Sequence, residues 1–404
     1  MAGLRGIKTI RDFELAGKTL FLRLDLNVPL DKGTISDETR ITASLPTIQY
    51  AIEKGAKIVM ASHLGRPKNS DDKQFSLEPV AERLSGLLNM EVILAENPDT
   101  EAMKTILGSL KKNQLILLEN VRFEKGETEN SEEYAQKLAS FTDLYINDAF
   151  GASHRAHATI EALPRLIKQR GIGLLIEKEI KMLDQLLVNP ARPYVAILGG
   201  SKVSDKIDVI ENLIDRVDAI LIGGAMAYTF LKAKGLPIGK SLVETDKLHY
   251  ARELMARIEA RDKTLLLPVD HKVTPDFNST LCKTTSGQGI DEDLMGIDIG
   301  PQTVTQFRAA IREAKTIFWN GPMGVFEKPA FAEGTFAIAK AVADNAEAFR
   351  IVGGGDSAAA AEQSGYADKM THISTGGGAS LEYLQGDKLP GLEVLREKIR
   401  KESP

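Results

Sequence analysis

Three glycines, an acid and a hydroxyl, Gly353-Gly354-Gly355-Asp356-Ser357, stand between the apolar run Phe349–Val352 and four alanines, Ala358 to Ala361. A buried strand passing through a glycine turn into a helix is the outline of a phosphate site. Glycine allows positive φ and close approach of the backbone, and the free N–H groups and dipole of a first helical turn favour an anion. Asp356 falls where a Mg²⁺ ion bridging such phosphates would be held, because Mg²⁺ takes one or two carboxylates alongside phosphate oxygens. A plain tight turn with Asp356 or Ser357 as a helix cap is the other reading of the same five residues.

A second set of residues suits a small anion. Four apolar runs, Thr19–Leu24, Lys57–Ala61, Gln114–Leu118 and residues 143–146, read as strands, with helical stretches at 76–88 and 131–139 among them. The loops after them carry Arg40, His63, Arg66, Arg122 and Arg155, with Arg40 read as a loop residue ahead of an apolar helix. Strands alternating with helices point to a parallel sheet, and ligands of such sheets bind beyond the carboxyl ends of the strands. Arginine forks match carboxylate and phosphate oxygens. Any one of these residues alone is more often a solvated or salt-bridged surface group, but a set on successive strand ends would gather on one rim.

The second half repeats glycine at strand ends. Tyr194–Leu198 runs into Gly199-Gly200-Ser201-Lys202, Ala219–Ile222 into Gly223-Gly224, and residues 316–319 into Asn320-Gly321, with Ser374-Thr375-Gly376-Gly377-Gly378 a further turn. Several such turns on one sheet make a rim that can meet a flat ring and a phosphate chain. Lys202 and Lys206 are four apart and are expected to share the face of a helix's first turns. Gly200-Ser201-Lys202 is not a Walker A loop, and no Gly-x-Gly-x-x-Gly opens the first βα unit, which weighs against a nicotinamide-dependent dehydrogenase.

These residues need two sheets to carry them. With 404 residues the chain exceeds one ordinary core, and 43% apolar with 26% charged residues is the composition of a globular protein. A net charge of −5 disfavours a nucleic-acid or membrane-surface binder, and a single cysteine, Cys282, excludes an internal disulfide or a Cys-rich zinc cage. No run approaches bilayer-spanning length and the first residues carry Lys8 and Arg11 without a signal-like apolar core, so the expected location is cytoplasmic. A helix opened by Gly171-Ile172-Gly173 and closed by Asn189-Pro190, with Ile176, Ile180, Leu183 and Leu187 on one face, reads as a connector. The expected fold is α/β, two doubly wound parallel-sheet (Rossmann-like) domains joined by that helix and facing each other across a cleft. Their bounds are 1–172, 173–190 for the helix, and 191–385. An anion rim on one side and a nucleotide rim on the other suit phosphoryl transfer, which is mostly positioning and charge neutralisation.

The runs Phe21-Leu22-Arg23-Leu24-Asp25-Leu26-Asn27-Val28-Pro29, Ser62-His63-Leu64-Gly65-Arg66-Pro67, Asn147-Asp148-Ala149-Phe150-Gly151 and Phe318-Trp319-Asn320-Gly321-Pro322-Met323-Gly324-Val325-Phe326-Glu327, in that order, resemble the phosphoglycerate kinase family. The resemblance implies reversible transfer between 1,3-bisphosphoglycerate with MgADP and 3-phosphoglycerate with MgATP, by a monomer that binds neither nucleic acid nor membrane. It places 3-phosphoglycerate against Asp25, Leu26, Asn27, Arg40, His63, Leu64, Gly65, Arg66, Arg122 and Arg155. It places the nucleotide against Gly200, Lys202, Lys206, Gly224, Gly296, Asn320, Glu327, Gly353, Gly354, Gly355, Asp356 and Ser357, with Asp356 on the Mg²⁺ ion. Arg40 and Lys202 would neutralise the transferring group, and residues 386–404 would return to the first domain. The nucleophile is a carboxylate, ionised at pH 7, so no general base is needed and His63 is read as a substrate contact. Ser357 and Ser201 stand where the family usually has threonine and alanine, and the stretch from Asp270 to Asp276 is less typical of it.

Overall fold

The computed structural model describes residues 3–96, 100–279 and 281–397. The chain forms two compact units, Met1–Lys181 with Lys388–Pro404, and Met182–Asp387.

The first unit is built on six parallel strands: β1 (Thr19–Leu24), β2 (Lys57–Ala61), β3 (Glu91–Ala95), β4 (Gln114–Leu118), β5 (Leu144–Asp148) and β6 (Gln169–Ile172), in the spatial order β3-β4-β2-β1-β5-β6. The central strand is apolar on both faces: Leu20, Phe21, Leu22 and Leu24 are all buried, each contributing about 1.5–3 kcal/mol by leaving water. β1 lies between β2 and β5, so Arg23 pairs with Ala61 on one side and Asn147 on the other. The edge strand β3 and the strand β6 are additions to the sequence reading. Gly171 and Ile172, expected to open the connector helix, instead end β6, and the helix runs Leu174–Leu187. The cause is an edge contact: Ile172 N–H donates to the Lys8 carbonyl at 2.9 Å, which holds the segment extended. The division between the units falls inside that helix.

The second unit has its own six parallel strands: β7 (Tyr194–Leu198), β8 (Ala219–Ile222), β9 (Thr264–Leu266), β10 (Thr316–Asn320), β11 (Phe349–Val352) and β12 (His372–Ile373), ordered β9-β8-β7-β10-β11-β12. The first three strands are laid outward in one direction and the last three in the other, so the winding reverses between β7 and β10. A small antiparallel sheet of Lys283–Thr284, His271–Thr274 and Met295–Ile299 follows β9 in sequence. The stretch from Asp270 to Asp276 thereby acquires a structural account. His271–Thr274 is that sheet's middle strand, and the Asp270 carboxylate accepts from the Gln302 and Thr303 N–H groups at 2.9 and 2.8 Å, capping the helix Pro301–Glu313.

The end of the chain packs in the first unit. Gly391 N–H donates to the Ser153 carbonyl at 2.9 Å, Asn147 Nδ2 donates to the Gly391 carbonyl at 3.1 Å, and Glu397 N–H donates to the Gly6 carbonyl at 2.8 Å. Residues 398–404 of the expected C-terminal segment lie outside the described residues. Among the described residues no helix is long and apolar enough to cross a membrane.

Candidate functional site

In the first unit, the carboxyl ends of β1, β2, β4 and β5 deliver their loops to one rim. Arg40 differs from expectation in being helical: it occupies the first turn of the helix Thr39–Glu53 and returns to the end of β1 by an ion pair, Nη1 donating to Asp25 Oδ1 at 2.8 Å. Leu26 N–H donates to Ser62 Oγ at 2.8 Å and Gly65 N–H donates to Asn27 Oδ1 at 2.7 Å, so the loops after β1 and β2 are stitched together. Gly65 sits at φ +59 with its Cα against the Phe75 ring, where an added Cβ would lie 2.3 Å from ring carbons. Leu64 is held by Asn120, which donates through Nδ2 to the Leu64 carbonyl at 2.7 Å, and Arg122 Nη1 donates to the Gly65 carbonyl at 2.6 Å.

His63 lies at the centre of this arrangement, 6% exposed. Burial holds its imidazole well below the usual histidine range, and the guanidiniums of Arg23, Arg122, Arg40 and Arg155 add to that effect in this order. The imidazole is therefore neutral at pH 7. Arg122 is itself pushed down to about 10, by burial first and then by Arg155 and Arg23. Both His63 and Arg122 are thus disfavoured as cations by burial and by neighbouring guanidiniums, an environment that suits an anion. Arg155 Nε donates to His154 Nε2 at 3.1 Å, and Arg66 stands exposed on the loop after β2. Sequence reasoning missed three members of the cluster. Arg23 is fully buried within β1, Glu127 is fully buried beneath it, and His157, depressed to about 4 by burial and the same arginines, lies with Nδ1 3.9 Å from Glu127 Oε1. A charged residue inside the apolar run Leu20-Phe21-Leu22-Arg23-Leu24 was the available signal.

In the second unit, the winding reversal between β7 and β10 brings Gly199-Gly200 beside Asn320-Gly321. A cleft of about 480 Å³ opens there, with Gly200, Gly224, Gly296, Glu327 and Asp356 among its walls. Gly224, at φ +66, is packed so tightly on Gly200 that an added Cβ would lie 2.5 Å from the Gly200 N and O atoms. Gly296 meets the Tyr228 hydroxyl, 1.9 Å from where a Cβ would stand. Tyr228, Leu242, Phe277, Pro322 and Val325 complete an apolar lining. Pro322 and Val325 belong to the run from Phe318 to Glu327 already singled out, whereas no motif in the sequence marked Tyr228, Leu242 or Phe277, which converge from separate segments.

Asp356 is exposed in the first turn of the helix Gly355–Gln363, while Ser357 and Asn320 are buried under the cleft floor. Gly321 N–H donates to Ser357 Oγ at 2.5 Å and Asn320 Nδ2 donates to the Gly353 carbonyl at 2.5 Å, which ties the glycine turn of β11 to that of β10. Lys206 donates to Asn320 Oδ1, and burial lowers its pKa. The two lysines do not share a helical face as expected. Lys202 is exposed in coil, Lys206 ends the short turn Ser204–Lys206, and the helix begins at Ile207. Glu244 accepts the Val203 and Ser204 N–H groups at 2.5 and 3.1 Å, tying down the loop between Lys202 and Lys206. For a divalent ion, the described residues hold no cluster of three or more His, Cys, Asp or Glu side chains. A lone exposed carboxylate beside free helix N–H groups fits a metal that arrives on a phosphate chain.

A parallel sheet with a glycine-walled cleft at its winding reversal, and a second sheet with an arginine and histidine rim, define a phosphotransferase acting on small anions. The family model described as phosphoglycerate kinase matches residues 10–387. A phosphoglycerate kinase of Bdellovibrio bacteriovorus is 70% identical over 399 residues, covering 98% of this chain and 99% of that protein. One of Anaeromyxobacter dehalogenans is 52% identical over 395 residues, covering 97% of this chain and 100% of that protein. Among solved structures, phosphoglycerate kinase from Coxiella burnetii superposes with a TM-score of 0.86 at 40% identity, covering 96% of this chain and 98% of that one. The chain belongs to the phosphoglycerate kinase family.

Proposed function

We propose that the chain catalyses reversible, Mg²⁺-dependent phosphoryl transfer between 1,3-bisphosphoglycerate with ADP and 3-phosphoglycerate with ATP, as a cytoplasmic monomer in glycolysis and gluconeogenesis. The observation that carries the reading is the gathering of Arg40 and Arg122 around the buried His63 at the strand ends of the first unit, with the guanidiniums of Arg23 and Arg155 also acting on its imidazole. Such a concentration of positive charge is costly without a ligand and suits a molecule bearing both a phosphate and a carboxylate.

Each residue then has a task. Arg122, Arg155 and Arg66 bind the phosphate of 3-phosphoglycerate, while Asp25, Asn27 and His63 orient its glycerate, with Leu26, Leu64 and Gly65 shaping the loops around it. Gly200, Gly224, Gly296 and Glu327 receive the nucleoside, and Lys206, Asn320, Gly353, Gly354, Gly355 and Ser357 form the seat of the phosphates. Mg²⁺, when bound with the nucleotide at Asp356, supplies neutralising charge to the phosphate oxygens. Arg40 and Lys202 are the catalytic pair: each lends a cation to the oxygens of the group in flight, so that charge developing in the transition state meets preorganised donors. The 3-phosphoglycerate carboxylate attacks already ionised, and no side chain has to remove a proton. Transfer without loss to water requires the two units to close during turnover, which makes hinge bending part of the cycle.

Hydroxylamine trapping with MgATP and 3-phosphoglycerate tests the reaction. The expected outcome is acyl hydroxamate and ADP together, dependent on 3-phosphoglycerate and lost in Lys202→Ala. ADP without hydroxamate would show hydrolysis or another acceptor and would overturn the proposed substrate.

A further inference from the structure

A neutral imidazole carries one N–H, and the partner of its other nitrogen decides which atom holds it. At His63 that partner is Arg23. The Arg23 side chain is completely buried and each of its three nitrogens has a contact: Nε donates to Thr159 Oγ1 at 2.8 Å, Nη1 donates to the Leu24 carbonyl, and Nη2 stands 3.4 Å from His63 Nδ1. Thr159 passes the constraint on, since its hydroxyl donates to Glu127 Oε1 at 2.7 Å while its N–H donates to Oε2 at 2.9 Å. Glu127 Oε1 also lies 4.0 Å from Arg23 Nη2. A guanidinium has five donors and no acceptor. The atom facing it must therefore be a lone pair.

We infer that Arg23, braced by Thr159 and Glu127, is a positioning residue that fixes His63 as its Nε2–H tautomer, leaving a neutral hydrogen-bond donor available to the anionic substrate. The charged groups around the ring agree. Arg23, Arg122, Arg40 and Arg155 all oppose a further positive charge there, and the carboxylate of Asp25 is engaged by Arg40. Amid this many cations, another point charge adds little, whereas a single directed N–H selects an orientation of the glycerate. That use of the donor rests on the reaction proposed above; the tautomer itself does not.

Long-range ¹H–¹⁵N correlation spectra of the full chain with ¹⁵N-labelled histidine decide the matter. The chain has six histidines, few enough for His63 to be assigned from a His63→Gln difference spectrum. At pH 7 the expected result is an unprotonated Nδ1 and a protonated Nε2. An Nδ1–H tautomer or an imidazolium would overturn the assignment. Arg23→Met and Arg23→Gln are expected to release the ring into a mixture of tautomers that titrates closer to the ordinary histidine range. A folded variant with the parent's tautomer would remove Arg23 from the role, and the parent spectrum stands as the test of the tautomer even where neither variant folds. On saturation with 3-phosphoglycerate the Nε2 signal should move while Nδ1 stays unprotonated. A bound substrate that leaves Nε2 unmoved would overturn the donor role. Failure of 3-phosphoglycerate to bind at all would count against the proposed reaction and leave the tautomer intact.

Discussion

Arg40 and Asp25 form an ion pair across the mouth of the anion rim, 2.8 Å from Nη1 to Oδ1, with the Arg40 side chain 32% exposed and the Asp25 side chain 7% exposed. The pair leaves the rest of the guanidinium fork available while fixing where it stands. Arg40→Ala is expected to lower kcat by about 10²–10³, the usual loss on deleting one preorganised donor to a transition state. Circular dichroism should report an intact fold. Steady-state rates within threefold of the parent would remove Arg40 from the catalytic pair.

Gly224 tests the cleft of the second unit. Its positive φ and its contact with the Gly200 backbone leave no room for a methyl group, so Gly224→Ala must move main chain in the wall of the site. The expected cost is about 1–3 kcal/mol of stability and a rise of at least tenfold in KM for nucleotide, with KM for 3-phosphoglycerate little changed. Equal rises in both constants would mean that the damage is not local.

Asp356 is exposed, so its removal should cost the free protein less than about 0.5 kcal/mol. The ligand response should change far more. A saturating nucleotide at 100 times its Kd stabilises a protein by about 2.7 kcal/mol, and Asp356→Ala should lose most of that with MgADP. Thermal denaturation with and without MgADP measures both quantities. A parent-sized shift in the variant would move the metal elsewhere.

Asp148 is buried beside the start of the helix Leu174–Leu187, its Oδ1 accepting from Ile176 N–H at 3.1 Å, and burial pushes its pKa up to about 7. A carboxyl raised from its unfolded value of 3.8 binds more protons when folded. Its contribution is therefore fully present below pH 3.8 and is lost as pH rises through 7. Asp148→Asn cannot titrate, so its stability relative to the parent should improve by roughly 2–3 kcal/mol between pH 5 and pH 8. Urea denaturation at pH 5, 6, 7 and 8 gives the comparison. Parallel stability curves for the two proteins would show that Asp148 is ionised throughout.

The legible part of this molecule was whatever repeats locally. The run Lys57–Ala61 stands as a strand with those bounds, buried from Ile58 onward, because burial on both faces demands continuous apolar sequence, and Phe349–Val352 also keeps its bounds, with Ile351 and Val352 buried. The glycine turns after them are equally local signals. Edge elements were harder: β3 is as apolar as the inner strands yet has only Ala95 buried, because it stands at the sheet's edge, and β12 is two residues long. The support of the anion rim was out of reach for a different reason. Glu127 and Thr159 meet Arg23 from more than a hundred residues away, and only tertiary structure can pair them. Lys202 shows the converse failure, where spacing suggested the first turns of a helix and the residue lies in coil ahead of the short turn Ser204–Lys206.

The first unit is discontinuous in sequence, since residues from Lys388 onward belong to it while Met182–Asp387 form the second. On a ribosome this inverts the order of completion. Roughly 200 residues at about 5–20 residues per second separate the two parts of the first unit, an interval of tens of seconds. During that interval the Ser153 carbonyl and Asn147 amide that later clasp Gly391 have no such partner. The unit translated first is therefore the last to be finished, and the second unit can mature while the nascent chain still lacks its final clasp.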